Sequence, residues 1–350
     1  MSRRTLVTVS GRIDPALEGQ VERGLRPRAD YLQLGATFDA DLMDYREAVD
    51  HDRARRAGRR IVGENVTLAW ACRRRQGNYD VVFTDGEQIG LPYAALNRFS
   101  TRRPRHVMIG HRLTPRKKML VHQTLRLRDR IDAVVVYSSA QQRFAIDHLG
   151  YPPEQVVLTP FAVDTEFWHP RVEAQPRDRP MICAVGLELR DYSTMVEAVR
   201  GLDVDVIVAA ASPWSKRTDS STDVDIPDNV RVSSYDHFAL RQLYADASFV
   251  VVPLVENDFQ AGITTILEGM SMAKAVVCTR TIGQQDTIVE DQTGRYVPPG
   301  DAAALQAEIE RLLGDPAEAA RLGGNGRAWA CKHADTKVYA DRLLTVIRQA

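Results

Sequence analysis

Val252-Pro-Leu-Val-Glu-Asn-Asp-Phe-Gln-Ala-Gly-Ile-Thr-Thr-Ile-Leu-Glu-Gly-Met270 reads as the end of a strand, a polar loop and the start of a helix. Just ahead, Phe249-Val-Val-Val-Pro253 is a β-branched run without polar alternation, the pattern of a strand buried on both faces. Past the loop, Ile263, Ile266, Leu267 and Met270 recur at helical spacing, so a helix begins beyond Gly262. A buried strand followed by an amphipathic helix is the repeating unit of a parallel sheet covered on both sides.

The same unit recurs in both directions along the chain. Upstream runs are Thr5–Val9, Asp80–Thr84, His106–Ile109, Asp132–Tyr137 and Gln155–Thr159; a second series is Met181–Val185, Val204–Val208, Val230–Val232, Phe249–Pro253 and Lys274–Thr279. Helical spacing falls between them at 139–149, 192–201, 238–246, 263–273 and 302–313, with two closing helices near 316–332 and 337–349. Each series suffices for one doubly wound sheet. Between them, three prolines and no apolar period mark 164–180 as a linker. The expected division is an N-terminal Rossmann-like domain at 1–163, the linker 164–180, a C-terminal Rossmann-like domain at 181–335, and a helix at 336–350 packing back on the N-terminal domain. The fold class is α/β, with a ligand-binding cleft expected between the two domains.

Composition narrows the function. At 350 residues, 44% hydrophobic and 26% charged, the chain is that of a globular protein rather than a disordered one. Lys plus Arg and Asp plus Glu both total 46, so no overall charge draws it to nucleic acid. Cys72, Cys183, Cys278 and Cys331 are scattered without a CxxC pair, which fits buried thiols in a reducing compartment. The N-terminal apolar stretch is too short for a signal peptide, and no run has the length of a membrane span. The expected location is the cytoplasm, extending at most to the inner face of the membrane.

A glycine at a helix entrance exposes backbone N–H groups to a ligand, and the helix dipole favours phosphate there. Gly262, Ile263, Thr264 and Thr265 supply that arrangement, with Glu268 one turn on, in reach of ribose hydroxyls. A second reading of the same residues is structural, Thr265-x-x-Glu268 being a capping box.

This region resembles the retaining GT-B glycosyltransferases (group 1, family 4-like). That family carries a Glu-x7-Glu motif, matched here by Gln260-x7-Glu268, and a "GG-x-x-E-I-V-x-D-G-x-x-G" segment, matched by Gly283-Gln-Gln-Asp-Thr-Ile-Val-Glu-Asp-Gln-Thr-Gly294. Its "V-P-P-G-D" follows at Val297–Asp301. The resemblance implies a nucleotide-sugar donor, with Glu268 on the ribose, the Gly262–Thr265 backbone on the diphosphate, and Gln260 facing the donor sugar in place of a glutamate.

The resemblance extends to Val185-Gly-Leu-Glu-Leu-Arg-Asp-Tyr192, a shortened form of "V-G-R-x-x-x-x-K-G" with Leu187 in place of the arginine. It makes Gly186 a donor-site residue and Arg190 the cation that neutralises the departing diphosphate; the alternative is an Arg190–Asp191 surface turn. His111, after the strand at 106–109, matches a histidine that lines the family's donor site, although a lone histidine there also serves structure. Val134–Gly150 and Pro160–Phe167 resemble the family's linker region, with Phe161 and Ala162 replacing its Asn-Gly, and residues 1–75 carry no match. Arg190, His111 and Gln260 are thus the catalytic candidates. The resemblance favours a UDP-sugar as donor and implies that no protein nucleophile is required, the family's leaving phosphate serving as base.

Residues 102–130 hold ten Arg or Lys against one acid, Asp129. Either this is a solvated face, or Arg112, Arg116, Lys117 and Lys118 contact an anionic acceptor or an acidic leaflet. No metal cofactor is expected: Asp203–Asp205 opens a strand and Asp223–Asp225 sits in a polar loop, neither at a strand end. No GxGxxG follows an expected strand, which weakens the reading as a nicotinamide dehydrogenase. A nucleotide-sugar epimerase and a non-catalytic nucleotide-sugar binder remain as alternatives on the same fold.

Overall fold

The structure, a computed structural model, describes residues 4–50, 63–209 and 226–349. These form two compact units, Met1–Gly19 with Arg28–Thr159 and Lys337–Ala350, and Gln20–Pro27 with Pro160–Thr336.

The first unit is built on six parallel strands: β1 (Thr5–Thr8), β2 (Asp41–Met43), β3 (Val81–Thr84), β4 (Arg105–Ile109), β5 (Ala133–Val136) and β6 (Val156–Leu158), in the order β2-β1-β3-β4-β5-β6. The second has β7 (Met181–Val185), β8 (Asp205–Ala209), β9 (Val230–Ser233), β10 (Val250–Val252), β11 (Val276–Thr279) and β12 (Arg295–Val297), in the order β12-β11-β10-β7-β8-β9. Both are the doubly wound α/β sheets expected. Strands β2 and β12 are additions: Asp-Leu-Met and Arg-Tyr-Val, each at a sheet edge, carry a charged residue and no run of β-branched residues.

Strand order reverses between β1 and β3 in one sheet and between β7 and β10 in the other. Loops leaving the carboxyl ends of such neighbours diverge to opposite faces and open a crevice. The apolar runs explain the sheets themselves, since Val250, Val251 and Val252 are all fully buried, one face packed with Ile266 and Met270, the other with Phe249 and Val277.

The proline-containing stretch read as a linker is more firmly attached than its composition implies. Phe167 and Trp168 are buried in the second unit's core, Trp168 edge-on to Tyr244. Arg327 Nη1 donates to the carbonyls of Thr165, Trp168 and Ser271. Two large aromatic side chains outweigh the prolines around them, and this segment folds with the unit that follows it. The closing helix Thr336–Gln349 buries Tyr339 and Leu343 in the first unit, where the Tyr339 and Tyr137 hydroxyls share a hydrogen bond of 2.7 Å.

Candidate functional site

The turn after β7 is organised by a buried arginine. Gly186 takes φ +99°, and a Cβ there would lie 2.6 Å from Arg190 Nη2. Arg190 is 7% exposed. Its Nε donates to Val185 O at 2.9 Å, Nη1 to Glu188 O at 2.9 Å, and Nη2 to Thr265 Oγ1 at 3.1 Å. The surface-turn alternative therefore fails: the guanidinium is folded inward across the crevice. Asp191 instead caps the helix Tyr192–Val199 by accepting from Thr194 N–H.

The facing wall is the helix Ile263–Ser271, which begins at Gly262 with φ +76°. A Cβ on Gly262 would stand 2.7 Å from Val252 Cγ1, so both the left-handed backbone and the packing require glycine. With no side chain capping this helix, the N–H groups of its first turn are presented at the cavity lined by Gly262, Ile263, Thr264 and Thr265.

The capping-box reading is corrected here. Thr265 lies inside the first turn rather than at the cap, and its hydroxyl donates to Val185 O at 3.2 Å. Glu268 accepts a hydrogen bond of 2.8 Å from the buried Tyr244 hydroxyl. Burial pushes the Glu268 carboxyl up to about 7, against the opposing pull of the Tyr244 hydrogen bond and the Arg190 charge.

Gln260, Glu268, Arg190, Gly186 and the helix start all line one cavity of about 400 Å³ above the β7/β10 reversal. Every donor-site residue expected from the second half of the sequence is thus brought together. Gln260 is 5% exposed, with Nε2 donating to Thr287 Oγ1 at 3.3 Å. Lining residues that were not anticipated include Tyr235, His237 and Leu240, from the loop and helix after β9. Burial lowers the His237 imidazole below its usual range. Their sequence signal was position, a strand end followed by the Asp236 helix cap, and not a motif.

His111 belongs to the first unit and is described with it. Its N–H donates to Glu87 Oε2 at 2.9 Å, and its Nε2 lies 2.9 Å from Asp85 O. Nε2 therefore bears a hydrogen and donates it to that carbonyl. Asp85, also missed in the sequence, accepts from the Thr8 hydroxyl and the Ser10 N–H at the β1/β3 reversal, and burial raises its carboxyl above the usual range.

The basic segment divides. Lys118 is paired with the buried Glu87, a partner the sequence did not reveal; Arg103 grips Asp132 with both nitrogens, and Arg105, Arg128 and Arg130 donate to backbone carbonyls. Arg112, Arg116 and Lys117 are exposed. On the same helix, Arg116–Thr124, Leu120 is 65% and Val121 45% exposed.

Among the described residues no group of three or more His, Cys, Asp or Glu is placed to hold a metal ion. Asp203 and Asp205 pair with Arg179, and Asp223–Asp225 lies outside the described residues.

Comparison with known proteins agrees with this fold. The family model for glycosyl transferases group 1 matches residues 187–315, and that for Glycosyltransferase Family 4 matches residues 23–167. The MMP alpha-(1->4)-mannosyltransferase of Mycolicibacterium hassiacum is 26% identical over 299 residues, 79% of this chain and 72% of that protein. The structure of sucrose-phosphate synthase from Thermosynechococcus elongatus superposes with TM-score 0.76 at 20% identity, covering 99% of this chain and 98% of the other. Anabaena HepE in complex with UDP-glucose gives TM-score 0.70 at 14% identity, over 99% of each chain. These two likenesses speak to the fold, and the sequence matches carry the activity. With one glycosyltransferase family matched in each half and both sheets wound as in these neighbours, the chain belongs to the GT-B glycosyltransferases of the group 1, family 4 type.

Proposed function

We propose that this glycosyltransferase moves a hexosyl group from a nucleoside-diphosphate sugar with retention of anomeric configuration, the donor lying in the cavity above the β7/β10 reversal. The observation that carries the reading is the junction of Arg190, Thr265 and the uncapped helix start at Gly262, with Glu268 one turn further. The diphosphate lies on the N–H groups of Ile263–Thr265, where the helix dipole and the Arg190 charge oppose its negative charge. As the glycosidic bond breaks, that fixed positive potential stabilises the leaving phosphate, the largest charge to develop in the reaction. Glu268 accepts from the ribose hydroxyls, and Gln260 hydrogen-bonds the sugar. No carboxylate nucleophile is needed, because the leaving phosphate takes the acceptor's proton on the same face.

A UDP-sugar is the donor in this reading, supported by a neighbour of the same fold crystallised with UDP-glucose. A GDP-mannose donor is the second reading. It is favoured by the mannosyltransferase named above and by a GDP-mannose-dependent phosphatidylinositol monomannoside mannosyltransferase of Mycolicibacterium smegmatis, 31% identical over 23% of this chain. Thermal shift against UDP, GDP and ADP tests the site and the base together. A nucleotide at a hundredfold over its Kd adds about 2.7 kcal/mol to stability, and no shift with any of them contradicts the reading.

The acceptor is anionic or held at an anionic lipid surface in the cytoplasm, and the exposed face of Arg116–Thr124 receives it. Arg112, Arg116 and Lys117 supply charge, and Leu120 and Val121 add apolar area beside it.

A further inference from the structure

Gln260 reaches the cavity as one member of a buried chain. Its Nε2–H donates to Thr287 Oγ1 at 3.3 Å, the Thr287 hydroxyl donates to Gln284 Oε1 at 3.0 Å, and Gln284 Nε2–H donates to Ala261 O at 3.0 Å. The chain begins at residue 260 and closes on the carbonyl of its neighbour 261, and all three side chains are buried. A hydroxyl has one proton. With that proton given to Gln284, the Thr287 oxygen can only accept, and the group facing it from position 260 must donate. The amide of Gln260 is therefore held with its nitrogen toward Thr287.

Backbone contacts also hold the two loops together. Gly283 N–H donates to Asn257 O at 3.0 Å, and a Cβ on Gly283 would lie 2.2 Å from Phe259 O. The loop at 281–287 is thus pressed against the backbone that carries Gln260.

We propose that Thr287, backed by Gln284, is a positioning residue for recognition of the donor sugar, acting by fixing which way the Gln260 amide faces. The proposal rests on the reading that this cavity takes the nucleotide-sugar donor. The direction of the amide decides whether a sugar hydroxyl meets a donor or an acceptor, and so which hydroxyl configuration the site prefers. It also ties two departures of this sequence together. Gln260 and Thr287 both stand where the quoted motifs carry glutamate, and they touch one another. Two carboxylates so close would repel, whereas an amide and a hydroxyl satisfy each other.

The test is a panel of UDP- and GDP-hexoses turned over by wild type, Thr287→Val, Thr287→Ser, Gln260→Ala and the double variant Gln260→Ala/Thr287→Val. Thr287→Val should lower kcat/KM for the preferred donor about tenfold and flatten the preference among hexoses, the scale of a lost neutral hydrogen bond. The Kd for free nucleoside diphosphate should stay within about twofold, and Thr287→Ser should restore the wild-type ratio. The double variant should be no worse than Gln260→Ala alone, since both remove one interaction. A wild-type hexose preference in Thr287→Val, or losses that multiply in the double variant, overturns the proposal. Gln260→Glu gives a readout that does not depend on the valine variant folding. The new carboxyl can donate to Thr287 only when protonated, so its kcat/KM relative to wild type should climb as pH falls from 7 to 5; a flat ratio overturns the proposal. Wild type inert toward every nucleotide sugar, yet folded, would instead remove the donor reading itself, and this proposal with it.

Discussion

Arg190 Nη2 donates to Thr265 Oγ1 at 3.1 Å, joining the turn after β7 to the first turn of the helix that starts at Gly262. One bond thus fixes the cation and the helix terminus relative to each other, the two sources of positive potential in the cavity. A lysine at 190 keeps the charge and loses the fork that satisfies Val185 O, Glu188 O and Thr265 together. Arg190→Lys should therefore lower kcat about tenfold, and Arg190→Ala about a hundredfold or more. Steady-state kinetics check this. Equal, small losses in both variants would mean that Arg190 only braces the turn.

Under this reading Glu268 should make nucleotide binding depend on pH. Its carboxyl is pushed up to about 7 in the folded chain, from an ordinary value of 4.5. Ribose hydroxyls donate to the ionised form, so nucleotide Kd should weaken progressively as pH falls below 7, and Glu268→Gln should flatten that profile. Stability runs the other way. Between pH 4.5 and 7 the folded state holds a proton the unfolded state has released, so the group's contribution is full below 4.5 and is lost as pH rises through 7. Calorimetric titration of nucleotide at pH 5.5 and 8, with melting curves at both, tests the two signs together.

How much of this was legible beforehand differs between the two halves. Around Gln260–Glu268 nearly everything was readable, because strand, glycine and helix are contiguous there and the cavity is built from local sequence. What escaped was the cross-chain part. Nothing in a linear reading shows Arg190 turned inward onto Thr265, or Tyr244 holding Glu268 from 24 residues away. Tyr235 and His237 were missed because a wall made by position carries no motif. In the first half, Asp85 went unnoticed and the pairing of Lys118 stayed hidden for one reason: reading charges along the chain ignores partners such as Thr8 and Glu87 that only the sheet brings close. The aromatic anchoring of 164–180 was hidden by its prolines.

The exposed basic residues and Lys118 should separate experimentally. Reversing Arg112, Arg116 and Lys117 to Glu should leave the fold intact while raising acceptor KM or abolishing binding to vesicles containing anionic lipid, with strong salt dependence. Replacing Leu120 and Val121 by Ser should weaken vesicle binding without that salt dependence. Lys118→Glu should instead destabilise the first unit by about 1–3 kcal/mol, by leaving buried Glu87 without its counter-charge. Vesicle co-sedimentation and thermal melting distinguish the outcomes. Unchanged kinetics and no lipid association in low salt for the triple reversal would return this face to ordinary solvation.

Charge neutralisation by Arg190 and the helix start leads us to expect that turnover survives EDTA. Full loss of activity, restored by Mn²⁺ or Mg²⁺, would place a divalent ion on the diphosphate and reassign part of that role.

The central claim is retaining transfer from a nucleotide sugar bound above the β7/β10 reversal. It is tested most directly by following the anomeric protons during consumption of α-linked UDP- and GDP-hexoses by NMR, with water as the acceptor of last resort. The account predicts that at least one donor is consumed, that the first sugar released is the α anomer before mutarotation, and that Glu268→Ala slows the reaction mainly through nucleotide affinity. A β anomer as first product would contradict retention, and no consumption of any donor by folded protein would contradict the assignment of the cavity.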